Sequence, residues 1–247
     1  MNKNAKIYIC THTDFDCPVK NPVYEIMDSR KLFVNDKSDR SMDGLFWSEL
    51  MTYDYLERQC YDQLPLYVGF CGYRKYFAFM DDVPNLAALV NKHGAIATTP
   101  YKVKGSVYSH YGRCFCFADI DILKAIMFEE EPSLYNTFEI MLESQYLYTC
   151  NMFVMHKRDF FYLMDIIRRL LSTWLLVVGT DIRQRIIDHS EVYLKRNGIM
   201  GTVPHQYRIG GNLGERIVSA FIYHYFPDVK TYDIRITENR KPHLLNV

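Results

Sequence analysis

Apolar positions along the chain switch between short unbroken runs and helical spacing, the pattern of strands alternating with helices. Lys6-Ile7-Tyr8-Ile9-Cys10, running into Thr11-His12-Thr13-Asp14, predicts a buried first strand that ends in a polar loop. Residues 21–43 are polar and broken by Pro22, which predicts an irregular excursion. Leu45, Leu50, Tyr53, Leu56 and Cys60 predict a helix of about four turns. Leu66 to Cys71 predicts a second strand running straight into Gly72-Tyr73-Arg74-Lys75-Tyr76-Phe77. Asn85 to His93 reads as a helix stopped by Gly94, and Ala95 to Thr99 as a strand ending at Pro100. Helices follow over Asp119 to Glu130 and over Ser133 to Glu143, the latter opened by Pro132. Tyr146 to Met155 reads as strand. Lys157 to Val178 carries the strongest helical period, through Phe160, Leu163, Met164, Ile167, Leu170, Leu171, Trp174 and Val178. Asp181 to Arg196 and Leu213 to Tyr225 predict two more helices, and Val229 to Ile236 a last strand.

Such alternation predicts an α/β fold, a central mixed sheet flanked by helices. With no repeat or linker among its 247 residues, the chain reads as a single domain, 1–247. Four apolar residues after the basic start are too few for a signal-peptide core, and no run approaches the roughly 20 residues of a spanning helix. A cytoplasmic protein is the expectation, and seven cysteines at irregular spacing fit buried thiols in a reducing compartment. Twenty-nine basic residues balance twenty-nine acidic ones, which argues against wrapping nucleic acid but leaves room for a local phosphate pocket. The 15% aromatic content, mostly Tyr, suits sugar rings and bases as well as a Tyr-rich core.

In α/β sheets, ligands sit beyond the carboxyl ends of strands. Two such places carry reactive groups: Thr11-His12-Thr13-Asp14, and the turn Gly72-Tyr73-Arg74-Lys75-Tyr76, where two cations can face an anion. Solvated loop charges explain the second place equally simply. Asp119-Ile120-Asp121 and Asp81-Asp82 are the acidic pairs open to a divalent cation. As plainer roles, Asp119 suits an N-cap, Asp121 a first helical turn and Asp81-Asp82 a turn before Pro84. Tyr108-Ser109-His110-Tyr111-Gly112-Arg113 reads as a loop able to grip a sugar or phosphate, and Asn151 can read sugar hydroxyls. Gly210-Gly211-Asn212-Leu213-Gly214 before Glu215-Arg216 would be a weak phosphate cradle at a helix start. Cys114-Phe115-Cys116 lacks a partner pair for zinc. Arg168-Arg169 beside Leu170, Leu171 and Trp174 would allow a peripheral contact with the inner face of a membrane; a core helix with solvated arginines is the plainer reading.

The run Tyr67 to Phe77 resembles the GLCHYRRYF signature of a bacterial family of capsular and exopolysaccharide glycosyltransferases, long catalogued as a domain of unknown function. Lys6 to His12 is similar to its opening strand, Ser48-Glu49-Leu50-Met51-Thr52 to its ELT helix and Tyr108 to Tyr111 to its Y-x-H-Y segment. Tyr148 to Met155 is similar to its YNMFIM strand and Gly214-Glu215-Arg216-Ile217 to its SERL helix. Gly72 stands where the family usually has His, and Lys75 replaces its second Arg. The resemblance implies a GT-A-like (Rossmann-like), mostly parallel sheet. It implies a nucleotide-sugar donor, a UDP-sugar first, and an oligosaccharide or lipid-linked glycan acceptor of capsule, exopolysaccharide or lipopolysaccharide. It places Thr11, His12, Tyr73, Arg74, Lys75 and Asn151 at the donor, with Arg74 and Lys75 facing the diphosphate. Tyr108, His110 and Arg216 would lie at the substrate, Glu215 would be the base, and Mn²⁺ or Mg²⁺ on Asp119 and Asp121, or on Asp81 and Asp82, would be the expected cofactor.

Overall fold

A computed structural model describes residues 4–32, 46–179, 196 and 208–237. Among the described residues the central sheet has eight strands: β1 Ala5–Thr11, β2 Tyr24–Asp28, β3 Tyr67–Gly72, β4 Lys75–Phe77, β5 Ala95–Thr98, β8 Phe153–His156, β9 Lys230–Tyr232 and β10 Ile234–Ile236. A separate two-stranded ladder pairs β6 Tyr101–Lys102 with β7 Tyr146–Leu147. The helices are α1 Ser29–Leu32, α2 Leu50–Gln59, α3 Leu86–His93, α4 Val107–Tyr111, α5 Phe117–Glu130, α6 Pro132–Glu143, α7 Lys157–Val178 and α8 Ile209–Tyr225.

β1 lies parallel between β2 and β3, and β9 lies parallel to β5. β8 runs antiparallel between β3 and β5, while β4 turns back from β3 at the Gly72–Lys75 pair and carries β10. Of the described strands, β4 and β8 oppose the common direction of the other six, so the sheet is mixed but mostly parallel. Period-2 alternation divides each strand between two cores. Tyr8, Cys10, Val68, Phe70 and Phe153 face the cluster under α2 and α5–α8; Ile7, Ile9, Cys71 and Val154 face a smaller one under α3. Burial on both faces explains why these strands read as unbroken apolar runs.

Several expectations need correction. Residues 24–28 form β2, an edge strand with Ile26 half exposed, so little apolar pattern marks it. The helix expected from Leu45 is interrupted at Ser48, whose left-handed φ of 53° separates helical Phe46-Trp47 from α2; Leu45 lies outside the described residues. The run 146–155 is two strands separated by Cys150 (φ 72°) and Asn151 (φ 50°). Residues 229–236 are likewise two strands. The helix expected over 181–196 lies outside the described residues, Arg196 apart.

α7 matches its expected bounds, with one buried stripe from Phe160 to Trp174. Its Arg168 pairs with Asp54 (3.1 Å) and Glu57 on α2, and Arg169 with Glu131 (2.7 Å) and Asp165 (3.0 Å). Both guanidinium groups thus tie α7 to its neighbours. No helix among the described residues is long and apolar enough to cross a membrane.

The glycines of α8 are helical, so they form no loop around a phosphate. They let α8 approach the segment before α2. A Cβ on Gly210 would stand 2.5 Å from the Phe46 ring, one on Gly211 2.7 Å from Ser48 and one on Gly214 2.3 Å from Leu50. Phe46 is buried and stacks on Trp174, so its ring cannot yield cheaply. Gly210→Ala should therefore destabilise the fold by about 1–3 kcal/mol despite alanine's better helix propensity, a loss read from thermal unfolding.

Candidate functional site

The carboxyl edge of β1, β3 and β5 gathers most of the expected site residues. Thr11, buried at the end of β1, donates from Oγ1 to the Thr13 carbonyl (2.7 Å) and accepts the Thr13 N–H (3.2 Å). This side-chain turn presents His12, which meets the buried Tyr73 edge-on at 5.5 Å. The Tyr73 N–H donates to the Cys10 carbonyl (3.1 Å), locking the β3–β4 turn onto the end of β1. At that turn the two cations part. Arg74 is exposed, its guanidinium 5.2 Å from the centre of the Tyr73 ring, whereas Lys75 turns inward and donates to Cys150 Sγ at 3.0 Å. At the end of β2, whose Asp28 pairs with Thr11, Arg30 bridges Asp14 and Asp28, each at 2.6 Å. Hydrogen bonding from Arg30 holds the Asp28 carboxyl below its ordinary range.

The segment leading into β8 is clamped by two helices. The Cys150 N–H donates to Glu215 Oε1 (2.5 Å) on α8. Asn151, 1% exposed, donates from Nδ2 to Glu49 Oε1 (2.8 Å) and to the Gly211 carbonyl (3.3 Å), while Tyr53 Oη donates to the Asn151 carbonyl (2.6 Å). Ser48 donates to the other Glu49 oxygen, and Arg208 donates to Ser48 (2.7 Å) and stands 3.6 Å from Glu49. Burial pushes the Cys150 thiol up despite the adjacent Lys75, so the sulfur stays protonated and can accept from the ammonium.

Arg216 is 2% exposed and pairs with Glu215 Oε2 at 2.8 Å. Its guanidinium lies 5.2 Å from the centre of the Tyr111 ring and 3.4 Å from His110 Nδ1. A buried guanidinium needs these partners, because desolvation without them costs several kcal/mol. Residues 107–111 are helix α4, opened by a Ser106–Ser109 capping box, and not a loop. Burial, then the charges of Arg216 and Arg113, hold His110 below its ordinary pKa and keep the ring neutral.

The acidic pairs do not converge. Asp119 is not the N-cap of α5, which is Cys116; it lies in the first turn, fully buried, accepting from Tyr111 Oη (3.2 Å). Asp121 accepts from Tyr108 Oη (3.1 Å). Asp81 accepts the N–H groups of Lys20 and Asn21 (both 2.7 Å) near the start of β2, on the opposite side of the sheet, with Asp82 beside it. Among the described residues no three His, Cys, Asp or Glu side chains are grouped to hold a cation. Neither pair fits a divalent metal. A cavity of about 350 Å³ between α6 and α8, lined by Ile140, Met141, Tyr146 and Tyr223, lies two turns along α8 from Glu215 and is mainly apolar.

Glu49, Cys150 and Arg208 were not expected at the site. Glu49 and Cys150 stand in segments that carry the family resemblance, but nothing in one-dimensional spacing marks a left-handed pair of residues or the acid that holds it. Asp119→Ala should cost about 1–3 kcal/mol by stranding the Tyr111 hydroxyl, whereas Asp121→Ala should stay within about 0.5 kcal/mol, both read from urea unfolding. A neutral folded His110 means that the unfolded chain binds its proton more readily. Its contribution is present above the ordinary value of 6.5 and is lost as pH falls below it, so His110→Gln should flatten the decline in Tm between pH 7 and pH 5.

The chain has known relatives in fold. The solved apo structure of the bifunctional glycosyltransferase WbbM superposes with a TM-score of 0.74 at 16% identity, over 96% of this chain and 46% of that one. The likeness is one of fold, and this chain spans under half the length of that protein. Among curated proteins none matches. The sequence profile described as a domain of unknown function (DUF4422) matches residues 6–225, most of the chain. The chain belongs to the DUF4422 family.

Proposed function

We propose that this protein is a glycosyltransferase that moves a sugar from a nucleotide-sugar, a UDP-sugar first, to an oligosaccharide or lipid-linked acceptor of capsule, exopolysaccharide or lipopolysaccharide. The observation that carries the reading is the convergence of Lys75, Glu215 and Arg216 at the carboxyl edge of a sheet whose fold is shared with a glycosyltransferase. In this reading Thr11, His12 and Tyr73 hold the nucleotide, and Lys75 and Arg74 meet the diphosphate. Asn151 reads the donor sugar, and Tyr108, His110 and Arg216 bind the substrate beyond it.

The acceptor hydroxyl attacks the anomeric carbon as the bond to the diphosphate oxygen breaks. Glu215 takes the hydroxyl proton, and the cations balance the charge that collects on the leaving diphosphate. No step is routed through a metal, because neither acidic pair is built to hold one.

A second reading, a nucleotide-sugar-binding module without turnover, is favoured by one feature: both Glu215 oxygens already accept, from Cys150 and from Arg216. A panel of UDP-sugars, assayed for donor hydrolysis and transfer, separates the two. The expected result is turnover by the parent and a loss of about 10²–10⁴-fold in Glu215→Gln. Tight binding of a UDP-sugar with no turnover by the parent supports the module instead.

A further inference from the structure

We propose that Glu49 is a positioning residue that, through Asn151, holds the 149–152 segment and so fixes where the Lys75 ammonium stands; the kinetic consequence rests on the donor reading above. Three non-glycine residues of this network, Ser48, Cys150 and Asn151, have left-handed backbones (φ 53°, 72° and 50°). Conformations of that kind persist only where the surroundings over-determine them, and they gather at sites that need a preset geometry.

Here the surroundings are two helices. From α2 and the residue before it, Glu49 accepts one Asn151 amide hydrogen while Tyr53, one turn on, donates to the Asn151 carbonyl. From α8, Gly211 accepts the other amide hydrogen and Glu215 accepts the Cys150 N–H. Glu49 is itself aimed by Ser48 and Arg208.

The outcome is the placement of Cys150 Sγ, at 3.0 Å the acceptor for Lys75 Nζ. Removing the Glu49 carboxylate leaves a buried amide hydrogen unpaired. The two left-handed residues then lose the contact that opposes their relaxation, and Lys75 loses its anchor. Glu49 touches neither donor nor acceptor in this scheme; it acts through Asn151.

Two measurements on the full chain test this. The first is the alkylation rate of Cys150 by iodoacetamide, read by peptide mass. It should rise about tenfold in Glu49→Ala and stay near the parental rate in Glu49→Gln, whose amide oxygen can still accept from Asn151. The second is kinetics on whichever UDP-sugar the parent turns over. Glu49→Ala should lower kcat about ten- to hundredfold with little change in donor KM, and Glu49→Gln should recover most of it. If Glu49→Ala does not fold, Glu49→Asp, which withdraws the carboxylate by one methylene, carries the same expectations.

Parental kcat in the alanine variant, or an unchanged Cys150 alkylation rate, overturns the proposal. A parent that turns over no donor overturns the transferase reading, and the alkylation rate then decides the role of Glu49 alone.

Discussion

The hydrogen bond from the Cys150 N–H to Glu215 is the contact on which the carboxyl edge depends. It joins the loop before β8 to α8, 65 residues later in the chain. Because β8 runs against most of the sheet, its beginning, not its end, lies at the edge where β1, β3 and β5 finish. One reversed strand therefore delivers Cys150 and Asn151 to the same rim as Thr11 and Lys75. Glu215 is the contact that holds Cys150 from α8, while Glu49, Tyr53 and Gly211 hold Asn151, and together they oppose the relaxation of two residues in an unfavourable backbone region.

Close packing makes that acid available. The glycines at 210, 211 and 214 remove the side chains that would hold α8 away from Phe46, Ser48 and Leu50, so the helix descends far enough for Glu215 and Arg216 to reach inward. Burying Arg216 at the same depth demands a partner, and Glu215 serves both the guanidinium and the loop. Packing and electrostatics here are one constraint: the helix can be this close only because its charges are matched, and they are matched only because it is this close.

Much of the architecture was legible in the chain. Strands β1, β3 and β5 and helices α3, α6 and α7 stand where apolar periodicity, Pro132 and Gly94 place them, since each buries a face or stripe long enough to leave a pattern. β2 was not legible, because an edge strand with two of its five residues exposed and none buried leaves almost none. The break within 146–155 was invisible for another reason: left-handed φ at Cys150 and Asn151 is imposed by Glu49, Tyr53 and Glu215, all distant in sequence. Asp-x-Asp spacing is shared by metal sites and by helix first turns, so spacing could not say that Asp119 lies in the first turn of α5. Its burial against Tyr111 is likewise something spacing does not encode. The glycine run misled in the same way, its purpose being contact between helices.

The site's long sequence separations bear on how a growing chain acquires it. Lys75 and Cys150 lie 75 residues apart, Glu49 and Asn151 102 apart. A chain emerging amino end first can pair β1 with β2 and β3 early, since those contacts are comparatively local. The amide of Cys150 must then wait until α8 has been synthesised and has docked. Assembly of the rim and closure of the larger core are thus one late event, and an unfinished polypeptide carries the cations without the geometry that would let them act together.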